Sequence, residues 1–215
     1  MKVTRLDDPE AVARYAADQF AAAVHDGAQL GLAGGSTPMR AYALLGAMDL
    51  DWTGAHLWYG DERCVPFDHE DSNHGQVLAT GLQAPGAFWH PMPGELGPEE
   101  GAASYSADLD GTVLDLLHLG MGPDGHTASL FPHHPLLDAA TVAAGIADSP
   151  KPPPERITLT LPTINRSRAI VLLVTGADKA DALARVLAGP DRGTPASLLD
   201  RDRLEVVADA TALSA

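Results

Sequence analysis

A histidine close to a carboxylate is the side-chain pair in this sequence best suited to proton transfer. Asp124-Gly125-His126 follows an apolar run that is predicted to be a buried strand. Imidazole changes its charge between about pH 5 and 8, so a histidine at a strand end can take a proton from water at neutral pH. A histidine that only hydrogen-bonds its own loop has the same sequence context, and position alone leaves both interpretations open.

Gly34-Gly35-Ser36-Thr37-Pro38 is a candidate anion-binding loop between a predicted strand and a predicted helix. Glycines let the backbone approach an anion closely, and free N–H groups at a helix start point towards it. A tight strand-to-helix turn, capped by Thr37, would use the same residue types. The loop is not a Walker A motif, because no Gly-Lys-Ser/Thr follows.

Further charged residues flank other predicted elements. Asp61-Glu62-Arg63 ends an apolar run, and this trio could orient a base or bind an anion. Lys179 stands at a predicted helix start, where its charge opposes the helix dipole, and this favours a ligand role. Arg156 precedes a strand. The alternatives are a solvated salt-bridge loop for the trio and a solvent-facing role for Arg156.

Several kinds of site are not expected. Gly120 to Gly125 matches G-x-G-x-x-G, but no acidic residue ends the next strand about 20 residues later, which argues against nicotinamide or flavin binding. No G-x-S-x-G elbow is present. Cys64 is the one cysteine, and the histidines fit no standard zinc spacing. We therefore expect no cofactor and no metal.

Composition narrows the class of protein. The chain has 215 residues, of which 45% are hydrophobic, and 14 basic against 29 acidic residues give a net charge of −15. This excludes disorder along the whole chain and argues against nucleic-acid or anionic-membrane partners. Residues 1–5 are predicted to lead straight into a polar helix without a signal-peptide core, and no apolar run could span a membrane. A cytoplasmic location is expected.

Short apolar runs alternate with helical patterns along the chain. The predicted strands are 30–33, 56–59, 114–119, 157–161, 169–174 and 204–208, and the predicted helices are one from Pro9 towards Gly27, one at about 39–48 and one at about 178–187. Several strands are apolar on both faces, which is typical of an α/β fold with a parallel sheet covered on both sides. Ligands bind such sheets at the carboxyl ends of the strands. Segments 85–98 and 149–154 are predicted to be irregular, and residues 1–215 to form a single domain.

Four segments resemble the signature blocks of the 6-phosphogluconolactonase family. They are LAGGSTP at 32–38, GDERCVP at 60–66 with Ser72-Asn73 after it, LGMGPDGHTASLFP at 119–132, and RITLTLP at 156–162. The blocks occur in the family's order and span most of the chain. The third block is the most specific, and the ordered set carries more weight than any one block.

The resemblance implies a fold, a reaction and roles for residues. The fold would be the modified Rossmann-like α/β sandwich, a mostly parallel sheet flanked by helices, shared with glucosamine-6-phosphate deaminase and ribose-5-phosphate isomerase. The reaction would be hydrolysis of 6-phospho-D-glucono-1,5-lactone in the oxidative pentose phosphate pathway, with this small molecule as partner. His126 would be the general base, supported by Asp61 and Arg63. The phosphate would be held by Gly34, Gly35, Ser36, Thr37, Lys179 and Arg156.

Two other functions are compared with this one. The deaminase pattern carries a glutamate in an Asn-Glu-Pro context downstream of Asp-Gly-His, whereas Ser129-Leu130-Phe131-Pro132 stands here. Ring opening and enolisation would then lack a proton carrier. A non-catalytic effector-binding domain of a repressor would need a DNA-binding helix-turn-helix, and only about 30 residues precede the first predicted strand. A lactonase assay separates all three.

Overall fold

The fold consists of a seven-stranded parallel sheet flanked by helices and a three-stranded antiparallel sheet. The computed structural model describes residues 1–214. The strands are β1 (Lys2–Leu6), β2 (Gln29–Leu32), β3 (His56–Tyr59), β4 (Asp61–Arg63), β5 (Phe88–Trp89), β6 (Leu116–Gly120), β7 (Ala143–Ile146), β8 (Arg156–Leu159), β9 (Ile170–Val174) and β10 (Leu204–Asp209). The helices are α1 (Pro9–Ala22), α2 (Ser36–Leu45), α3 (Asn73–Ala79), α4 (Pro98–Leu109), α5 (Leu161–Arg166) and α6 (Ala180–Ala188), with 3-10 turns at Gly94–Leu96, Pro135–Asp138, Ala177–Lys179 and Pro195–Leu198. The predicted α/β class with a mostly parallel sheet is confirmed.

The strand order explains where a ligand can bind. The large sheet has the order β1-β10-β9-β6-β2-β3-β5, with every neighbouring pair parallel. After β2 the chain builds outward through β3 and β5, and after β6 it builds outward in the opposite direction. The neighbours β2 and β6 therefore form a topological switch point, where loops diverge and leave a crevice at the carboxyl ends. Residues 33–35 and 121–126 are the loops that leave these two strands.

The small sheet corrects one predicted strand. The run predicted at 157–161 forms β8, which pairs antiparallel with β4 and β7 and does not join the parallel sheet. Its apolar pattern fits either environment, because all four residues of β8 are buried. Pro162 in the first turn of α5 then starts a helix where a longer strand was predicted. The pairing sets Arg63 opposite Arg156.

The ends of the predicted elements are less accurate than their positions. The Asp8 carboxylate caps α1 as predicted, but the helix ends at Ala22, well before Gly27. Helix α2 begins at Ser36, and no side chain caps it, so Thr37 is not its cap. Residues 2–6 form an edge strand and not the approach to a helix, because they pair with β10 at the other end of the chain. Among residues 1–214, no helix is both long and apolar enough to cross a membrane.

A histidine is buried in the core beneath the sheet's centre. His118 of β6 has no exposed surface, and neither of its ring nitrogens has a hydrogen-bond partner. It packs edge-on against Phe20, at 4.9 Å between ring centroids, and stacks over Tyr42. Burial lowers the pKa of His118 to about 3, because the charged ring would lose its hydration.

His118 is expected to make the protein sensitive to acid. Between about pH 6.5 and pH 3 the unfolded chain binds a proton at this residue and the folded chain does not, so stability falls as the pH falls. His118→Leu should therefore lose about 2 kcal/mol less unfolding free energy between pH 7 and pH 5 than the unaltered protein. Urea unfolding at the two pH values measures this. The exposed His25→Gln is the control, and an equal pH dependence in His118→Leu and the unaltered protein would contradict the expectation.

Candidate active site

A cavity of about 370 Å³ opens at the carboxyl ends of β2, β3, β6 and β9. It lies over the switch point between β2 and β6, as the topology predicts. Nine residues singled out from the sequence line it together: Gly34, Gly35, Ser36, Thr37, Asp61, Arg63, His126, Arg156 and Lys179. The candidate residues thus share one cavity, although they come from five separate parts of the chain.

His126 is held at the cavity wall by its own loop. Its Nδ1 hydrogen-bonds the Asp124 carboxylate, which also accepts from the His126 backbone N–H at 3.3 Å. The imidazole packs on the Phe131 ring at 4.8 Å between centroids. Because Nδ1 is occupied by Asp124, Nε2 is the ring nitrogen left for a ligand, and nothing within residues 1–214 hydrogen-bonds it. A side-chain Cβ at Gly122 would collide with the imidazole, so glycine is required there.

Asp124 is held in its charged form. Burial raises the pKa of this carboxyl, but the hydrogen bond from His126 and the charges of His126 and Lys151 outweigh burial and leave the pKa well below the usual range. An ionised Asp124 fixes the proton of neutral His126 on Nδ1, so Nε2 carries the lone pair that accepts a proton.

The start of α2 lines another part of the cavity and offers the donors that an anion would need. Gly35 precedes the helix with φ of 101°, a conformation that favours glycine, and no side chain caps the first turn. The first N–H groups of a helix have no intrahelical partners and carry a partial positive charge. Thr37 Oγ1 hydrogen-bonds Thr175 Oγ1 at 2.7 Å, which joins this loop to the one after β9.

Lys179 lines the cavity from the loop after β9. Its Nζ lies 3.0 Å from Asp178 Oδ2, and its side chain is 21% exposed. Asp209 anchors this loop by accepting from the Gly176 N–H. An exposed salt bridge to a neighbouring aspartate is weak, so the ammonium can turn to a phosphate without a large cost.

Asp61 is a buried carboxylate fixed by two neutral donors. Ser129 Oγ donates to its Oδ2 at 2.7 Å, and Asn73 Nδ2 donates to its Oδ1 at 3.2 Å. Asn73 packs so closely against Gly34 that any Cβ there would collide with its amide. These three side chains connect the start of β4 and the loop after β6 with Gly34, which Asn73 contacts.

Glu62, beside Asp61, supports the chain and lies outside the cavity lining. It is fully buried and accepts the backbone N–H groups of Arg63, Asn73 and His74. Burial raises the pKa of Glu62, and these hydrogen bonds counteract part of the rise. Glu62 fixes the turn into α3, whose N-cap is Ser72, as the sequence suggested.

The two arginines, Arg63 and Arg156, line the cavity and also hydrogen-bond other parts of the protein. Arg63 donates from one terminal nitrogen to the Asp71 carbonyl at 2.6 Å. Arg156 donates to the carbonyls of Lys151, Pro152 and Pro153 and to Ser129 Oγ. A guanidinium has five N–H groups, so Arg156 keeps one for a ligand.

Three neighbours of the site were missed by sequence reasoning. Asn73 and Ser129 stand in the segments that resemble the signature blocks, but neither is among the predicted site residues. Lys151 lies in the segment 149–154, which is predicted to be irregular, yet its Nζ is 3.4 Å from His126 Nδ1. The sequence feature that could have indicated Lys151 is that it is the one charged residue in a run of prolines.

Metal-ligating side chains are not clustered in the part of the chain that is described. Across residues 1–214, no group of three or more His, Cys, Asp or Glu side chains could hold a metal ion. Cys64 is half-buried, and burial raises the pKa of its thiol to about 11, so it is poorly suited to act as a nucleophile.

Comparison with known proteins places the chain in a family. The model of the family described as glucosamine-6-phosphate isomerases/6-phosphogluconolactonase matches residues 7–208. The 6-phosphogluconolactonase of Homo sapiens is 44% identical over 69% of this chain, which spans 61% of that protein. The 6-phosphogluconolactonase of Mycobacterium tuberculosis is 39% identical over 79% of this chain and 80% of that protein.

Solved structures of similar proteins agree with this family match. A 6-phosphogluconolactonase from Shewanella baltica is 28% identical, with a TM-score of 0.86 over 98% of each chain. A monomeric glucosamine-6-phosphate deaminase is 23% identical, with a TM-score of 0.85 over 100% of this chain and 99% of that one, and shares the fold. On its sequence match and its structural likeness together, the chain belongs to the family of glucosamine-6-phosphate isomerases and 6-phosphogluconolactonases.

Proposed function

We propose that this protein hydrolyses 6-phospho-D-glucono-1,5-lactone to 6-phospho-D-gluconate, with His126 as the general base. The observation that carries the proposal is the pairing of His126 Nδ1 with Asp124, which leaves Nε2 free in a cavity that is also lined by Lys179 and by the uncapped start of α2. The relatives named 6-phosphogluconolactonase support the same reaction. The small-molecule lactone is the partner, and the proposal places the reaction in the oxidative pentose phosphate pathway and the cytoplasm.

The chemistry requires one base and no covalent intermediate on the protein. A lactone is an activated ester, so water can attack its carbonyl carbon C1 while His126 Nε2 removes the water's proton. The electron pair of the carbonyl moves to oxygen, and Arg63 faces this developing negative charge in the proposed pose. The C1–O5 bond then breaks, and His126 returns the proton to O5. Asp61 orients the site through Ser129 and Asn73.

The phosphate binds at the start of α2 in this proposal. Gly34, Gly35, Ser36 and Thr37 offer backbone N–H groups and hydroxyls, and Lys179 offers charge. Arg156 contributes its remaining N–H. Binding of the phosphate there sets the distance of C1 from His126, so the phosphate contributes to orientation as well as affinity.

Initial rates across the pH range test the proposal. After subtraction of spontaneous hydrolysis, kcat/KM should rise with pH and then level off, because only the unprotonated imidazole accepts a proton. Asp124 stays ionised throughout, since its pKa lies well below the usual range. EDTA should leave the rate unchanged, because no metal-ligand cluster exists within residues 1–214.

The same assay separates the competing functions. Glucosamine 6-phosphate should yield no ammonia, and ribose 5-phosphate should not isomerise. A chelator-sensitive lactonase rate would show that a metal-bound water performs the attack. Deamination without lactone hydrolysis would replace the proposed function with that of the other branch of the family.

A further inference from the structure

The segment from Ser149 to Pro154 is held rigidly beside the catalytic loop. The Arg156 guanidinium donates hydrogen bonds to three successive carbonyl groups, those of Lys151, Pro152 and Pro153, at 2.9–3.2 Å. Ser149 Oγ donates to the Lys151 carbonyl at 2.9 Å and accepts the Lys151 N–H at 3.2 Å. The backbone of Lys151 is therefore fixed from both sides.

This backbone places the Lys151 ammonium next to Asp124 and next to the Nδ1 side of the His126 ring. Its Nζ lies 3.6 Å from Asp124 Oδ1 and 3.4 Å from His126 Nδ1. An ammonium has only donors, and Nδ1 already donates to Asp124, so the attraction is to the carboxylate. Lys151 is not among the residues that line the cavity, so its position is described by its contacts with Asp124 and His126.

We propose that Lys151 is a positioning residue for the reaction of the proposed function: by sharing Asp124 Oδ1 with His126, its ammonium limits how strongly Asp124 stabilises the protonated imidazole. Asp124 orients Nδ1 but also favours the imidazolium, which is no longer a base. A cation at 3.4 Å from the ring opposes that effect and keeps the base available at lower pH.

The other charged groups near the imidazole do not contact it in the way that Lys151 and Asp124 do. The Arg156 guanidinium and the imidazole both pack on the Phe131 ring, with Arg156 Cζ 5.7 Å from the ring centroid, and no hydrogen bond joins Arg156 to His126 within residues 1–214. The remaining charged groups of the cavity are Asp61 and Arg63 from β4, and Asp178 with Lys179 from the loop after β9. None of these four is in hydrogen-bond contact with His126 within residues 1–214, whereas Asp124 is hydrogen-bonded to Nδ1 and the Lys151 Nζ lies 3.4 Å from the same nitrogen.

The test is the titration of His126 by NMR in the substrate-free protein, with the resonance assigned by its loss in His126→Gln. In Lys151→Met the midpoint should move up by about half to one pH unit, and the acidic limb of kcat/KM should move with it. Lys151→Arg keeps the charge and should restore the original midpoint. On the alkaline plateau of the three profiles the rates should agree within about threefold, since the base is unprotonated there in each protein.

Two outcomes would overturn the inference: an unchanged midpoint in Lys151→Met, or the same shift in Lys151→Arg. Lys151→Gln provides a second neutral variant should the methionine variant fold poorly, and thermal unfolding checks each protein. The NMR titration uses no substrate, so it decides the role of Lys151 even if the lactone is not hydrolysed. Lactone hydrolysis without a shift would retain the proposed function and reject the role of Lys151.

Discussion

His126→Ala is expected to lower kcat/KM for the phosphorylated lactone by about 10²–10⁴-fold, the usual contribution of a general base. Nε2 of His126 is the one ring nitrogen of this residue free to accept a proton, because Asp124 occupies Nδ1. The loss should appear mainly in kcat, since the proposed phosphate-binding residues belong to other loops of the cavity and do not include His126. Initial rates on the purified variant, corrected for spontaneous hydrolysis, measure it.

The control for this variant is a histidine outside the cavity. His25 is exposed and distant in the fold from the switch point, so His25→Ala should retain full activity. Removing the imidazole of His126 leaves Asp124 paired with Lys151, and the fold should survive, as thermal unfolding would show. Turnover of His126→Ala close to that of the unaltered protein would remove His126 from the role of base.

The arrangement of the large sheet was predictable because its strands are buried on both faces. All five residues of β9 are buried, and such apolar runs are visible without any knowledge of their partners. Strands that depend on a distant partner were not visible. Residues 2–6 pair with β10 about 200 positions later, and β4 is a three-residue strand that exists through its pairing with β8.

The cavity was predictable from strand ends, whereas its supporting contacts were not. Glycine-rich and charged segments at the carboxyl ends of parallel strands must meet at one edge, which brought His126, Asp61 and Lys179 together. The contacts of Asn73, Ser129 and Lys151 run between segments far apart in sequence. Such residues become recognisable only when the backbone places their side chains.

The charge distribution connects the composition to the site. The chain carries a net charge of −15, yet three cations line this one cavity: Arg63, Arg156 and Lys179. Two of the three are already bound to protein oxygens through the guanidinium, and within residues 1–214 Lys179 is paired only with the exposed Asp178. Lys179 is therefore the cation whose charge is most available to an incoming dianion.

Lys179→Ala is expected to raise KM for 6-phospho-D-glucono-1,5-lactone by about 10–100-fold, the usual effect of losing a hydrogen bond to a charged group. The phosphate would still meet the N–H groups at the start of α2, so binding weakens without being abolished. The effect on kcat should be smaller, because Lys179 makes no hydrogen bond to His126 or Asp124 within residues 1–214. Steady-state kinetics on the phosphorylated and the unphosphorylated lactone measure both parameters.

The unphosphorylated D-glucono-1,5-lactone separates a phosphate contact from a general disturbance of the cavity. Its KM should change by less than about threefold in Lys179→Ala, since no dianion is present to lose its partner. Lys179→Arg should recover part of the affinity, because the charge remains while the geometry of the donor changes. Arg168→Ala removes an exposed cation at the opposite end of β9 and controls for the change in net charge. Equal increases in KM for the two lactones would show that Lys179 shapes the cavity and does not bind the phosphate.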